Sequence, residues 1–136
     1  MWRIANTQDI VEVTAFCGST LPAKWSLDAW IPYLKYYIDR RFLAVFGNPI
    51  QGVIFGRPVM SPEGCVNDRY SWNRNGRVLW VEGVSLKASS MRDAVLFAIE
   101  ALKEQGIRFS SIAFNRQPFR SEPTKINLKR FLCMTS

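Results

Sequence analysis

The chain has 136 residues, long enough to bury one hydrophobic core and too short for two independent ones. Its 48% apolar and 21% charged residues describe a globular protein, and 18 Lys and Arg against 11 Asp and Glu leave a net charge of +7, which suits an anionic partner. There is no histidine, so Ser-His-Asp and Cys-His nucleophile systems and imidazole zinc sites are excluded, and proton transfer near neutral pH falls to a carboxylate, a Tyr, a Lys or a thiol.

In chain order, residues 2–6 read as a short strand. Thr7 is placed as the N-cap of a helix with Ile10, Val13 and Cys17 on one face, and Gly18 is placed to end it. Asp9 and Glu12 interrupt the apolar run that a signal peptide needs, and no window approaches the length of a membrane span, so an intracellular, cytoplasmic location is expected. Residues 26–38 form a second helical region, aromatic-rich and core-facing, which Pro32 should kink or split. Two strand-like runs, 42–46 and 50–55, flank Gly47-Asn48-Pro49 and predict a hairpin. Residues 57–76 lack periodicity and read as a long loop, and residues 77–86 as a central, nearly continuous apolar strand. Ser90 and Asp93 have capping-box spacing before a helix lined by Met91, Val95, Ala98, Ile99 and Leu102, which Gly106 should end. A strand over 107–114 follows, and then a basic tail with one short helical or strand segment at 126–133.

Three cysteines, Cys17, Cys65 and Cys133, are too far apart for a C-x-x-C site and odd in number, which argues against a disulfide framework or a metal cluster and suits a reducing compartment. Cys17 and Cys133 read as small buried hydrophobes, and Cys65, in a polar stretch, as an exposed thiol.

This element order, with the phrases Arg3-Ile4-Ala5-Asn6-Thr7-Gln8-Asp9-Ile10, Pro49-Ile50-Gln51-Gly52, Val81-Glu82-Gly83-Val84-Ser85-Leu86 and the helix from Asp93 to Gly106, resembles the GNAT superfamily of N-acyltransferases. The resemblance implies an α+β single domain with a central, mostly antiparallel mixed sheet flanked by helices. It places the GNAT-like core at residues 1–115 and a basic C-terminal segment at 116–136. It also implies transfer of an acyl group from acetyl-CoA, another acyl-CoA or an acyl carrier to an amine, without a metal. Glu82 occupies the position of the superfamily's strand-four base. Among Trp80, Val81 and Val84, such a carboxylate is expected to be desolvated and to hold its proton more tightly; the alternatives are that it faces solvent or pairs with an arginine. Val84, Ser85, Leu86, Ser89, Ser90, Met91 and Arg92 match the cofactor-binding strand end and helix start, where backbone N–H groups and the helix dipole hold phosphate. The sequence departs from the superfamily at two points. Residues 87–92 contain no glycine where the phosphate loop is glycine-rich, and no tyrosine follows Tyr70.

From Arg108 onward the chain carries Arg108, Arg116, Arg120, Lys125, Lys129 and Arg130 against Glu122 alone. Interleaved with Phe114, Phe119 and Phe131, this cluster defines a second reading: a non-catalytic basic module, or an assembly component, that engages nucleic acid or an acidic protein.

Overall fold

The computed structural model describes residues 1–115 and 123–134. Its strands are β1 (Trp2–Ile4), β2 (Leu43–Phe46), β3 (Gly52–Val59), β4 (Val78–Leu86), β5 (Ser111–Phe114) and β6 (Thr124–Asn127). Its α-helices are α1 (Ile10–Thr20), α2 (Leu27–Asp39), α3 (Met91–Glu104) and α4 (Leu128–Met134). The strands form one six-stranded mixed sheet in the order β1-β2-β3-β4-β5-β6. β1–β2, β2–β3 and β5–β6 are antiparallel, whereas β4 and β5 are parallel, with α3 as the crossover that a parallel pair requires. The fold is thus the expected α+β arrangement of a mixed sheet with helices.

The chain comprises two compact units, Met1–Phe55 with Gly83–Ala98, and Gly56–Glu82 with Ile99–Ser136. The first is built around the aromatic face of α2. Tyr33 and Tyr37 meet Phe55 of β3 edge-on, with ring centroids 5.8 and 5.1 Å away, and Trp30 packs on Trp25 at 4.6 Å. Gly83 belongs to this packing, because a Cβ there would lie 2.4 Å from the Phe55 ring. That face explains why Pro32 does not split α2. The proline removes one backbone hydrogen bond, but Trp30, Tyr33, Leu34, Tyr37 and Ile38 are all buried, and their packing holds the helix. The second unit has its own cluster of Val59, Cys65, Val78, Trp80 and Ala113.

Several boundaries differ from expectation for local reasons. The capping side chain at this entry is that of Asn6, not Thr7, and it caps a 3₁₀ turn ahead of α1. Asn6 Oδ1 accepts from Gln8 N at 2.9 Å, Asp9 Oδ2 accepts from Asn6 N at 2.9 Å, and a 3₁₀ turn, Thr7–Asp9, precedes the helix. The α1 helix passes Gly18 and ends at Thr20, where Leu21 N donates to Cys17 O. The hairpin stands as expected, with Gly47 at φ +89°, where a side chain would meet Pro49 O at 2.9 Å. β3 continues three residues into the expected loop, through Arg57 and Pro58 to Val59. β5 begins at Ser111, later than expected, and the tail forms both a strand and a helix, β6 and α4. Cys65 is buried and Cys133 is exposed on α4, the reverse of the reading from local polarity. Cys65 is covered because its stretch folds back onto the apolar cluster. Burial pushes the Cys17 thiol up to about 12 and the Cys65 thiol upward as well.

α2 and α3 end in the same backbone motif with different residues. Gly106 closes α3 at φ +82°, its N–H reaching Lys103 O at 2.9 Å while Ile107 N reaches Leu102 O at 3.0 Å. Arg41 fills the same position after α2 at φ 62°, with Arg41 N to Ile38 O at 3.1 Å and Phe42 N to Tyr37 O at 2.8 Å. A side chain in this left-handed region costs about 1 kcal/mol. Arg41→Gly is therefore expected to raise unfolding free energy in urea by about 0.5–1 kcal/mol, and Gly106→Ala to lower it by about 1 kcal/mol.

Candidate active site

The second unit is organised around an arginine that the sequence reading placed in a loop. Arg57 lies on β3 with no exposed surface and is the largest fully buried side chain among the described residues. A buried guanidinium must have its donors engaged and its charge matched. Arg57 Nη1 donates to Glu82 Oε1 at 2.8 Å, Nε donates to the Ser71 carbonyl at 2.6 Å, and Nη2 donates to the Asp68 carbonyl. Glu82 Oε1 also accepts from the Trp80 indole Nε1 at 2.9 Å, since residues two apart on a strand share a face.

Glu82 is consequently not a carboxylate isolated among apolar neighbours. Its apolar companions on β4 are present, but Arg57 supplies a counter-charge and Trp80 a polar donor. The arginine-paired alternative describes the geometry. The sequence carried one usable signal for this partnership, a lone Arg inside an apolar, strand-like context between Phe55 and Val59. Its neighbours Gly56 and Pro58 hid that signal, because both read as loop residues.

The loop that Arg57 holds is also tied internally. Asp68 Oδ1 accepts from Tyr70 N at 3.0 Å and from Ser71 N at 3.1 Å. The Ser71 side chain and these two N–H groups hold the Asp68 carboxyl at about 2, below its ordinary 3.8. Gly76 is required nearby, since a Cβ there would come 2.4 Å from the Val59 backbone.

In the first unit, the strand end and helix start expected to bind cofactor are contiguous. The β4–β5 register runs Val78↔Ser111, Leu79↔Ile112 and Trp80↔Ala113, and β4 runs on through Val84, Ser85 and Leu86. Lys87 N then donates to Gln51 O at 2.8 Å, and its ammonium lies 5.6 Å from the centre of the Phe16 ring. Ser89 Oγ accepts from Trp2 Nε1 at 3.0 Å, and Ser90 Oγ accepts from Asp93 N at 3.1 Å, one half of the expected capping box. Met91 and Arg92 open α3, where the first N–H groups of any helix lack intrahelical acceptors. Arg92 Nε is buried without a hydrogen-bond partner among the described residues. An orphan donor in the first turn, beside two serine hydroxyls able to donate, fits an anionic group such as a CoA phosphate.

Arg108 is exposed in the segment between α3 and β5, Lys125 is exposed on β6, and Lys129 and Arg130 are exposed on α4. Arg116 and Arg120 lie outside the described residues. No helix of the described residues is long and apolar enough to cross a membrane, and no group of three or more Cys, Asp or Glu side chains among them is arranged to hold a metal.

No protein-family model and no curated protein matches the sequence. Among solved structures, the chain is similar to an acetyltransferase of the GNAT family from Colwellia psychrerythraea, with 11% identity over 98% of this chain and 42% of that one and a TM-score of 0.57. It is similar to GphF, a GNAT-like decarboxylase in complex with isobutyryl-CoA, with 16% identity over 84% of this chain and 64% of that one and a TM-score of 0.57. A third is AAC(6′)-Iy in complex with the bisubstrate analogue CoA-S-monomethyl-acetylneamine, with 15% identity over 89% of this chain and 82% of that one and a TM-score of 0.54. At such identities the likeness is one of fold: the chain has a divergent GNAT-like fold. It spans less than half of the first of these proteins and under two thirds of the second.

Breaking a buried ion pair from one side leaves the other charge stranded. Glu82→Leu should lower unfolding free energy by about 3–5 kcal/mol, and Arg57→Met with Glu82→Leu should cost less than Glu82→Leu alone, as read by urea denaturation. Asp68 contributes in a defined pH window. Because its folded value is depressed, its contribution is complete above 3.8 and is lost as pH falls towards about 2. The melting-temperature difference between the parent and Asp68→Asn should shrink over that window and be constant from pH 5 upward.

Proposed function

We propose that the chain is a divergent GNAT-like acyltransferase that moves an acyl group from acyl-CoA to an amine, with Glu82 as the base. The observation that carries this reading is the run of β4 beyond its β5-paired residues into the glycine-free turn and the first turn of α3 with its orphan Arg92 donor. The solved structures of similar fold that hold CoA derivatives support the donor class. When bound, acyl-CoA supplies an activated thioester carbonyl. Backbone groups of Val84, Ser85 and Leu86 would bind the amides of its pantetheine arm. The first-turn N–H groups of α3, the Ser89 and Ser90 hydroxyls and Arg92 would bind its phosphates. A Glu82 carboxylate, held by Arg57, would take the proton that an amine must lose to become acylated.

Two measurements test this. Acetyl-CoA at about one hundred times its dissociation constant should stabilise the fold by about 2.7 kcal/mol, and Arg92→Ala should reduce that stabilisation. Absence of any shift at millimolar CoA ester overturns the reading. Glu82→Gln keeps a carbonyl oxygen for Arg57 and Trp80 to donate to. It removes the counter-charge of buried Arg57 and so should be less stable than the parent, but below its melting temperature it should still respond to acetyl-CoA, while amine-dependent release of CoA thiol falls by about 100-fold or more.

A further inference from the structure

Acyl transfer as proposed makes no use of a cleft in the second unit, formed where residues 59–73 fold over the end of β3. Its volume is about 340 Å³, and its lining includes Val59, Met60, Glu63, Cys65, Asp68 and Trp72. That size lies at the low end for small-molecule sites and is far too small for a macromolecular segment with a core of its own.

The charge of the cleft opposes that of the chain. The protein as a whole carries +7, yet the lining holds Glu63 and Asp68 with no Lys or Arg. Arg57 beneath it is fully buried, and its charge is matched by Glu82. Asp68 cannot easily shed its charge, because the Ser71 side chain and the Tyr70 and Ser71 N–H groups favour the ionised form. The walls are apolar and polarisable. Val59 and Cys65 are buried at the floor, whereas Met60 and Trp72 keep 64% and 41% of their surface exposed. A thioether and an indole suit an alkyl chain, and an indole face also attracts a cation. The walls are set in advance, since Arg57 fixes the Asp68 and Ser71 carbonyls on one side and Asn73 N donates to Pro58 O at 2.9 Å on the other.

We infer that this cleft binds a small organic cation, a primary ammonium or guanidinium group on a short apolar chain, with Glu63 and Asp68 as its counter-charges and Met60 and Trp72 beside its alkyl part. This binding goes beyond acyl transfer and needs no CoA.

Titration of the isotope-labelled full chain, followed by amide and indole NMR without any CoA ester, tests it. The probes are butylamine, butylguanidine, 1-butanol and butyrate at pH 7. Butylammonium and butylguanidinium should give saturable shifts confined to residues 59–73, with dissociation constants at least tenfold below that of butanol, and butyrate should give none. Glu63→Gln with Asp68→Asn should weaken the cations by about tenfold. Asn keeps the oxygen that Tyr70 N and Ser71 N donate to, so the loop should persist. The single Glu63→Gln variant, altered at an exposed side chain, should show a loss of about threefold and stands in if the double variant does not fold. Equal affinity for butanol, preference for butyrate, unchanged affinity in the folded variants, or the lack of saturable shifts in this segment would each overturn the inference.

Discussion

One buried guanidinium shapes the second unit. Removing an arginine from water costs several kcal/mol, so Arg57 can occupy an interior strand position only if its surroundings satisfy it. Glu82 supplies the counter-charge from β4, and Asp68 and Ser71 supply carbonyls from the loop that leaves β3. These demands explain three otherwise separate features: why β3 continues through residues that read as a loop, why a segment with no regular structure over 61–77 has a defined course, and why an acidic residue sits in an apolar strand. The same side chain fixes the Asp68 and Ser71 backbone that lines the acidic cleft and pairs with the proposed base.

The first unit solves its problem with rings and backbone caps. The aromatic stripe of α2 packs edge-on against Phe55 and needs no polar partner in its centre, and so α2 tolerates Pro32. At the other end of the hierarchy, the Arg3-to-Ile10 phrase has a local physical meaning. Arg3 donates to both Asp9 oxygens at 2.7 and 2.8 Å, and Asp9 in turn closes the cap with Asn6. Asp9 is held below its ordinary value chiefly by the hydrogen bond from Arg3. Three polar residues of that phrase thus fix the exit of β1 and the entry of α1.

What the sequence revealed follows from how far each signal reaches. Period and punctuation disclosed the hairpin at Gly47, the α3 helix and its Gly106 terminus, because those depend on residues a few positions apart. The same logic recovered the order of elements, and with it the GNAT-like fold. It failed where a distant partner decides. Arg57 looked like a loop residue because Glu82, 25 positions away, is invisible to a local window. Cys65 looked exposed because its polar neighbours concealed the apolar cluster to which it returns. Thr7 and Asn6 are both good caps, and only the Asp9 carboxylate, accepting from the Asn6 N–H, chooses between them. The α3 start was legible as a position, whereas the Trp2–Ser89 bond and the orphan Arg92 donor emerge only in three dimensions.

The glycine-free turn alters how an anion could be held at α3. Glycines let a phosphate settle against bare backbone, while each side chain in their place keeps it further out. In this chain both serine hydroxyls in the turn already accept a hydrogen bond, Ser89 from Trp2 and Ser90 from Asp93. Their remaining O–H donors therefore have restricted directions and do not swing freely. Under the acyl-transfer reading, phosphate affinity would shift from backbone towards side chains, with Arg92 replacing some of the attraction lost with distance. Such a site would be more sensitive to salt and to single side-chain changes than a glycine cradle, because fewer of its contacts come from a helix end that mutation cannot remove.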